Sequence, residues 1–192
     1  HPNETAELSE ENFLWLKEQC FNEKVVAVGE IGLDYYWDEP SHAIQKLWFE
    51  RQLELAREVN KPVIIHSRDS TELIINILKE CRQLSLRGVF HAFSGSIETF
   101  RELDRLGDWY IGIGGVLTYK KASIAETVKQ IPLERILLET DSPYLTPVPF
   151  RGKRNESSYI PHIAARLAEL TEKPVEEIAC TTTSNARKLF GI

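Results

Sequence analysis

The sequence predicts an α/β protein built on a parallel sheet. Three observations carry that prediction: short, uniformly apolar runs recur along the chain, amphipathic helical stretches separate them, and ionisable residues follow directly on several of the runs. A strand that is apolar throughout has both faces covered, which is the habit of parallel sheets packed between helices. Alternation alone leaves two architectures open, an open doubly wound sheet and an eight-stranded barrel.

The elements follow in order. After the polar start His1-Pro2-Asn3, Ser9 is placed as the N-cap of a first helix with acidic residues in its first turn and Phe13, Leu14 and Leu16 to bury, ending near Asn22. Val25-Val26-Ala27-Val28-Gly29-Glu30 is too short for a helix and too apolar for a strand with one wet face, so it reads as a buried parallel strand. A helical stripe of Ile44, Leu47, Trp48, Leu55 and Val59 leads to a second strand, Pro62-Val63-Ile64-Ile65-His66.

A helix over residues 70–83 precedes the strand Gly88-Val89-Phe90-His91, and another over 96–106 precedes Trp109-Tyr110-Ile111-Gly112-Ile113. A helix over 124–130 leads to Arg135-Ile136-Leu137-Leu138-Glu139-Thr140-Asp141, the fifth strand. Two helices close the chain, over 159–170 and 175–189, with Pro174 where a helix favours its first residue.

Composition narrows the function classes. With 192 residues, 42% of them hydrophobic, and no low-complexity run, the chain is expected to form one domain over 1–192. A net charge of −6 argues against gripping nucleic acid over a broad basic face, because phosphate affinity comes from Lys and Arg, but it leaves room for a local basic patch. Cys20, Cys81 and Cys180 are an odd set without metal-ligand spacing, which speaks against a disulfide framework or zinc ribbon and for a reducing cytoplasm. No apolar run approaches the roughly 18 to 20 residues of a membrane span, and no secretory pattern opens the sequence.

Glu30, His66, His91 and Asp141 each fall at the carboxyl end of a predicted strand. In barrels and open sheets alike, active sites lie beyond those ends, so residues distant in sequence can converge there. Imidazoles and carboxylates together suit zinc, manganese or iron better than calcium, which prefers oxygen. Taken singly, a strand-end His is more often a hydrogen-bonded rim residue than a ligand.

Four segments in order, Val28-Gly29-Glu30-Ile31-Gly32-Leu33-Asp34-Tyr35-Tyr36, Pro62 to Asp69, His91-Ala92-Phe93-Ser94-Gly95 and Leu138-Glu139-Thr140-Asp141-Ser142-Pro143-Tyr144-Leu145, resemble the signatures of TatD-type deoxyribonucleases. So do Arg151-Gly152-Lys153-Arg154-Asn155 and the closing Asn185-Ala186-Arg187-Lys188-Leu189-Phe190-Gly191, so the resemblance spans the chain. It implies a TIM-type (β/α)8 barrel with two divalent ions, zinc, magnesium or manganese. Glu30 would bridge both ions, His66 and His91 would complete one, and Asp141 would bind the other and handle the proton of the attacking water. The family's His-x-His pair is absent, and His1-Pro2 resembles the end of its third strand. The expectation is therefore about five of eight strands, with the first three lying before residue 1.

The resemblance implies a phosphodiesterase acting from DNA ends on single strands, 3'–5'. Arg68, Arg151, Lys153 and Arg154 are the candidates to hold phosphate, with Lys120 and Lys121 as further cations, and the N–H groups around Ser94-Gly95 could cradle an oxygen or serve a plain turn. Asp34 and Tyr35 are expected at the mouth, with Asp34 orienting a ligand, and Tyr36 and Trp37 could stack on a base. Two other readings stay open: hydrolysis of another ester or amide on the same barrel, and a silent barrel fragment that binds a partner through its open edges.

Overall fold

The structure, a computed structural model, describes residues 1–36 and 41–192. Five parallel strands alternate with helices: α1 Glu10–Gln19, β1 Val28–Asp34, α2 His42–Glu58, β2 Val63–Arg68, α3 Thr71–Glu80, β3 Gly88–Phe90, α4 Ile97–Asp104, β4 Trp109–Ile113, α5 Ile124–Val128, β5 Ile136–Leu138, α6 Ile160–Thr171 and α7 Val175–Phe190. The sheet runs β1-β2-β3-β4-β5, in chain order. The chain divides into two compact units, one of His1–Phe90, Leu103–Trp109 and Leu189–Ile192, the other of His91–Glu102 and Tyr110–Lys188.

In the first unit, β1 differs from the expected run. Pairing with β2 begins at Val28, whose N–H donates to Pro62 O at 2.9 Å, and continues to Asp34 opposite Arg68. Val25 and Val26 lie outside the strand, while Ile31 and Leu33 supply its core side chains. The register shifts between Val28 and Ile31, and Glu30 stands at that shift inside the strand rather than at its end. The extension depends on Gly32, at φ +142°, where any Cβ would overlap the carbonyl oxygen of His66. His66 likewise stands within β2, two residues before its end, and β3 pairs on β2 with Val63 opposite Gly88 and Ile65 opposite Phe90.

Helix α1 starts where the sequence places it. Ser9 and Asn12 form a reciprocal cap, with Asn12 N–H donating to Ser9 Oγ at 3.2 Å and Ser9 N–H to Asn12 Oδ1 at 3.1 Å. Phe13 meets Trp48 of α2 at 5.5 Å between centroids, and the Arg51 guanidinium lies 4.4 Å from each ring. Leu14, expected to be buried, is 59% exposed, because the contact with α2 is made by Phe13 and leaves Leu14 and Trp15 on the outer side. Leu33, Phe49, Leu53, Ile65, Ile74 and Ile77 fill the interior, each contributing about 1.5–3 kcal/mol of burial.

In the second unit, β4 and β5 pair from Ile111 opposite Ile136 to Ile113 opposite Leu138. Asn185 of α7 donates from Nδ2 to Leu133 O at 2.9 Å and Ile136 O at 2.8 Å, tying that helix to the entry of β5. Pro174 precedes α7, its carbonyl accepting the Ile178 N–H at 3.2 Å, so it caps the helix one position ahead of the expected place. Among the described residues no helix is long and apolar enough to cross a membrane.

Candidate functional site

In the first unit, the register shift in β1 turns Glu30 toward β2, where Oε1 lies 2.8 Å from His66 Nδ1. On its other side the His66 ring meets Asp34, with Nε2 3.1 Å from Oδ2. Asp34 is buried, and its carboxylate also accepts the Tyr36 N–H at 3.2 Å and the Asn3 amide at 3.4 Å. Its backbone is clasped by Gln45, which accepts the Asp34 N–H at 2.8 Å and donates to Asp34 O at 3.2 Å. Asp34 thus holds its position through main-chain bonds while its carboxylate faces the imidazole.

An ionised carboxylate only accepts, so a neutral His66 can donate to one of these two acids and turns a lone pair toward the other. Where Nδ1 carries the lone pair, it and Glu30 Oε1 are both acceptors. Two acceptors at this separation are satisfied by a further proton or by a cation that both hold. His1 adds a third donor atom: its Nε2 is 3.3 Å from His66 Nδ1 and 4.0 Å from Glu30 Oε1. His1, Glu30 and His66 form one candidate metal-binding group, with ligand atoms within 4.8 Å of one another, and their imidazole and carboxylate donors suit zinc, manganese or iron. Ligation by His1 has a cost, because its Nδ1 accepts the Asn3 N–H at 3.2 Å, which places the proton on Nε2.

In the second unit, His91 follows β3 and Asp141 lies three residues beyond β5. His91 Nε2 stands 3.3 Å from Asp141 Oδ1, and His91 Nδ1 stands 3.0 Å from Glu139 Oε2. Glu139 was not among the residues singled out from sequence, and neither was His1 as a ligand. The available signal for Glu139 was its place two residues before Asp141 in the run read as the fifth strand, where alternation directs side chains the same way.

The phosphate candidates fall in both units. Arg68 is exposed at the end of β2, its guanidinium 3.6 Å from the centre of the Tyr36 ring, so Tyr36 is engaged by a cation. In the second unit Arg151 lies 4.2 Å from the Tyr119 ring and Lys153 5.7 Å from Phe150, while Ser94 and Arg154 are exposed. Lys120 and Lys121 are exposed beyond β4. Tyr35 stacks on His42 at 3.7 Å, and burial pushes its phenol up, keeping it protonated at neutral pH. Trp37 lies outside the described residues.

A family model of the TatD-related DNases matches residues 1–191. The chain belongs to that family. The uncharacterized metal-dependent hydrolase YabD of Bacillus subtilis is 50% identical over 193 residues, spanning the whole of this chain and 75% of YabD. Among solved structures, YjjV, a TatD homolog from Escherichia coli K12, superposes with a TM-score of 0.93 at 34% identity, over 100% of this chain and 74% of its own. A TatD-family hydrolase from Entamoeba histolytica gives 0.84 at 29% identity, over 99% of this chain and 72% of its own. This TatD-related chain is a metal-dependent hydrolase, and its five parallel strands alternating with helices are consistent with part of a (β/α)8 barrel.

Proposed function

We propose that this TatD-related chain hydrolyses phosphodiester bonds in DNA, releasing nucleotides from the 3' end of single strands in the cytoplasm. The reading is supported by one observation above the others: ligand-type side chains meet in pairs within each unit, Glu30 with His66 at 2.8 Å and His91 with Asp141 at 3.3 Å, in a family described as DNases. Glu30 and His66 in the first unit, and His91 and Asp141 in the second, are the residues that would hold divalent cations, through carboxylate oxygens and imidazole lone pairs. When bound, such ions supply Lewis acidity toward a phosphoryl oxygen and bring the pKa of water toward neutrality.

The chain's own groups then divide the work. Asp141 is part-exposed, so it can receive the proton of the attacking water. Arg68, Arg151, Lys153 and Arg154 would grip phosphate by charge-assisted hydrogen bonds, with N–H groups near Ser94 as further donors. The net charge of −6 favours a strand end over a broad duplex face. The three free thiols support a reducing compartment.

The test is nucleotide release from end-labelled single-stranded DNA, with divalent-metal content measured on the same sample and a panel of esters and amides as control. Metal-dependent shortening from the 3' label, abolished by chelator and restored by zinc or manganese, is the expected result. Ester or amide turnover without nucleotide release would overturn the DNA reading while keeping the hydrolase.

A further inference from the structure

Glu139 has a geometry that neither the ligand set nor the phosphate grip explains. Its carboxylate takes two hydrogen bonds from one turn: Oε1 accepts the Ala92 N–H at 2.5 Å, and Oε2 faces His91 Nδ1 at 3.0 Å. The turn itself is unusual, since Ala92 has φ +45°, a conformation that residues with a side chain rarely adopt. On the opposite strand Gly112 leaves open the space that the carboxylate fills, for a Cβ there would overlap Glu139 Oε2. Phe93 N–H donates to Gly112 O at 3.0 Å and Glu139 N–H to Ile113 O at 3.1 Å, so the His91 turn and the Glu139 backbone are both fastened to β4.

We propose that Glu139 is a positioning residue for hydrolysis: it holds His91 as the Nδ1–H tautomer and so aims the Nε2 lone pair at Asp141. The two carboxylates compete for the single proton of the neutral ring, and the distances and burial decide between them. Glu139 is the closer at 3.0 against 3.3 Å and the more buried, its side chain 18% exposed against 40% for Asp141. It is also fixed by the Ala92 N–H. An imidazole ligand needs its other nitrogen bonded to a carboxylate or carbonyl to set tautomer and ring orientation, and Glu139 supplies that bond. The inference deepens the proposed reading and rests on it for the use to which Nε2 is put.

The test is a long-range 1H–15N spectrum of the histidine rings in the metal-free chain at alkaline pH, where imidazole is neutral. It is recorded for wild type, Glu139→Ala and Glu139→Gln, with zinc titrated calorimetrically into each. Wild-type His91 is expected to carry its proton on Nδ1. Glu139→Ala should lose that preference and bind zinc about 10–100-fold more weakly, and Glu139→Gln, whose one oxygen is taken by the Ala92 N–H so that its NH2 faces His91 Nδ1, should move the ring proton to Nε2 and weaken zinc binding likewise. A merely structural glutamate would alter thermal stability without moving the tautomer. Nε2–H in wild type, or an unchanged His91 signal in Glu139→Ala and Glu139→Gln, would overturn the proposal; should the alanine variant fail to fold, the near-isosteric glutamine variant decides. Absence of zinc binding by wild type would refute the metal reading, leaving the tautomer to report separately on Glu139.

Discussion

His66 lies between two carboxylates, Glu30 Oε1 at 2.8 Å from its Nδ1 and Asp34 Oδ2 at 3.1 Å from its Nε2, and the two acids do different things. Glu30 is part-exposed and faces the donor atom of His1 as well, whereas Asp34 is buried behind the ring. Replacing Glu30 by Gln keeps the shape and removes the charge that attracts a cation. The expected outcome is a fall in kcat/KM of more than about 100-fold, beyond the 10–100-fold loss usual for groups behind the ligands. Kinetics at saturating metal that match wild type would remove Glu30 from the site.

Asp34→Asn separates orientation from ligation. The amide can donate to His66 Nε2, which would drive the proton to Nδ1 and leave no lone pair there to face Glu30. Gln45 bonds the Asp34 backbone, so those bonds survive the change. Metal affinity is expected to drop about 10–100-fold. The melting temperature should shift by only a few degrees, equivalent to about 1 kcal/mol. Calorimetric titration of zinc and thermal unfolding on the same sample check both halves, and unchanged affinity would show that Asp34 is only a core carboxylate.

How much of this was legible in the sequence can be read from particular residues. Apolar runs located all five strands, because burial on both faces leaves a composition that helices of that length do not share. The extent of β1 was not legible: it depends on Gly32 passing close to the His66 carbonyl, and glycine in a run of hydrophobic residues does not announce what approaches it. Pairing of His91 with Asp141 within the second unit could be anticipated only as strand ends pointing one way. Glu139 was missed because its partner is the N–H of Ala92 in a turn of positive φ, and single-sequence patterns carry no record of a backbone donor. Leu14 shows the opposite error, where an apolar residue on a helix was given a burial that the packing of Phe13 against Trp48 does not provide.

Asn185 bears on stability rather than chemistry. Its buried amide donates to two carbonyls that flank the start of β5, Leu133 O and Ile136 O, at 2.9 and 2.8 Å. Asn185→Leu leaves both acceptors without that donor and places a branched side chain against them. A loss of about 1–3 kcal/mol follows from the desolvated carbonyls. Urea unfolding monitored by circular dichroism measures it, and a midpoint equal to wild type would mean that water replaces the amide at no cost.

The three thiols should differ in reactivity in an order set by burial. Cys20 is 2% exposed and burial pushes its thiol up, and Cys81, partly buried beside Glu50 and Glu80, is pushed up as well; Cys180 is exposed. Since the thiolate is the nucleophile, a disulfide reagent at neutral pH should modify Cys180 first and Cys20 only on unfolding. The same shift fixes the sign of a pH effect. A folded-state pKa above the unfolded value means that the native chain keeps its protons longer, so the contribution of Cys20 and Cys81 to stability is complete below about pH 8.5, the ordinary thiol value, and declines as pH rises through the folded values. Cys20→Ser and Cys81→Ser should therefore each flatten the decline in urea stability above about pH 8.5, relative to wild type. A slope unchanged by both substitutions would assign that loss to groups other than these thiols.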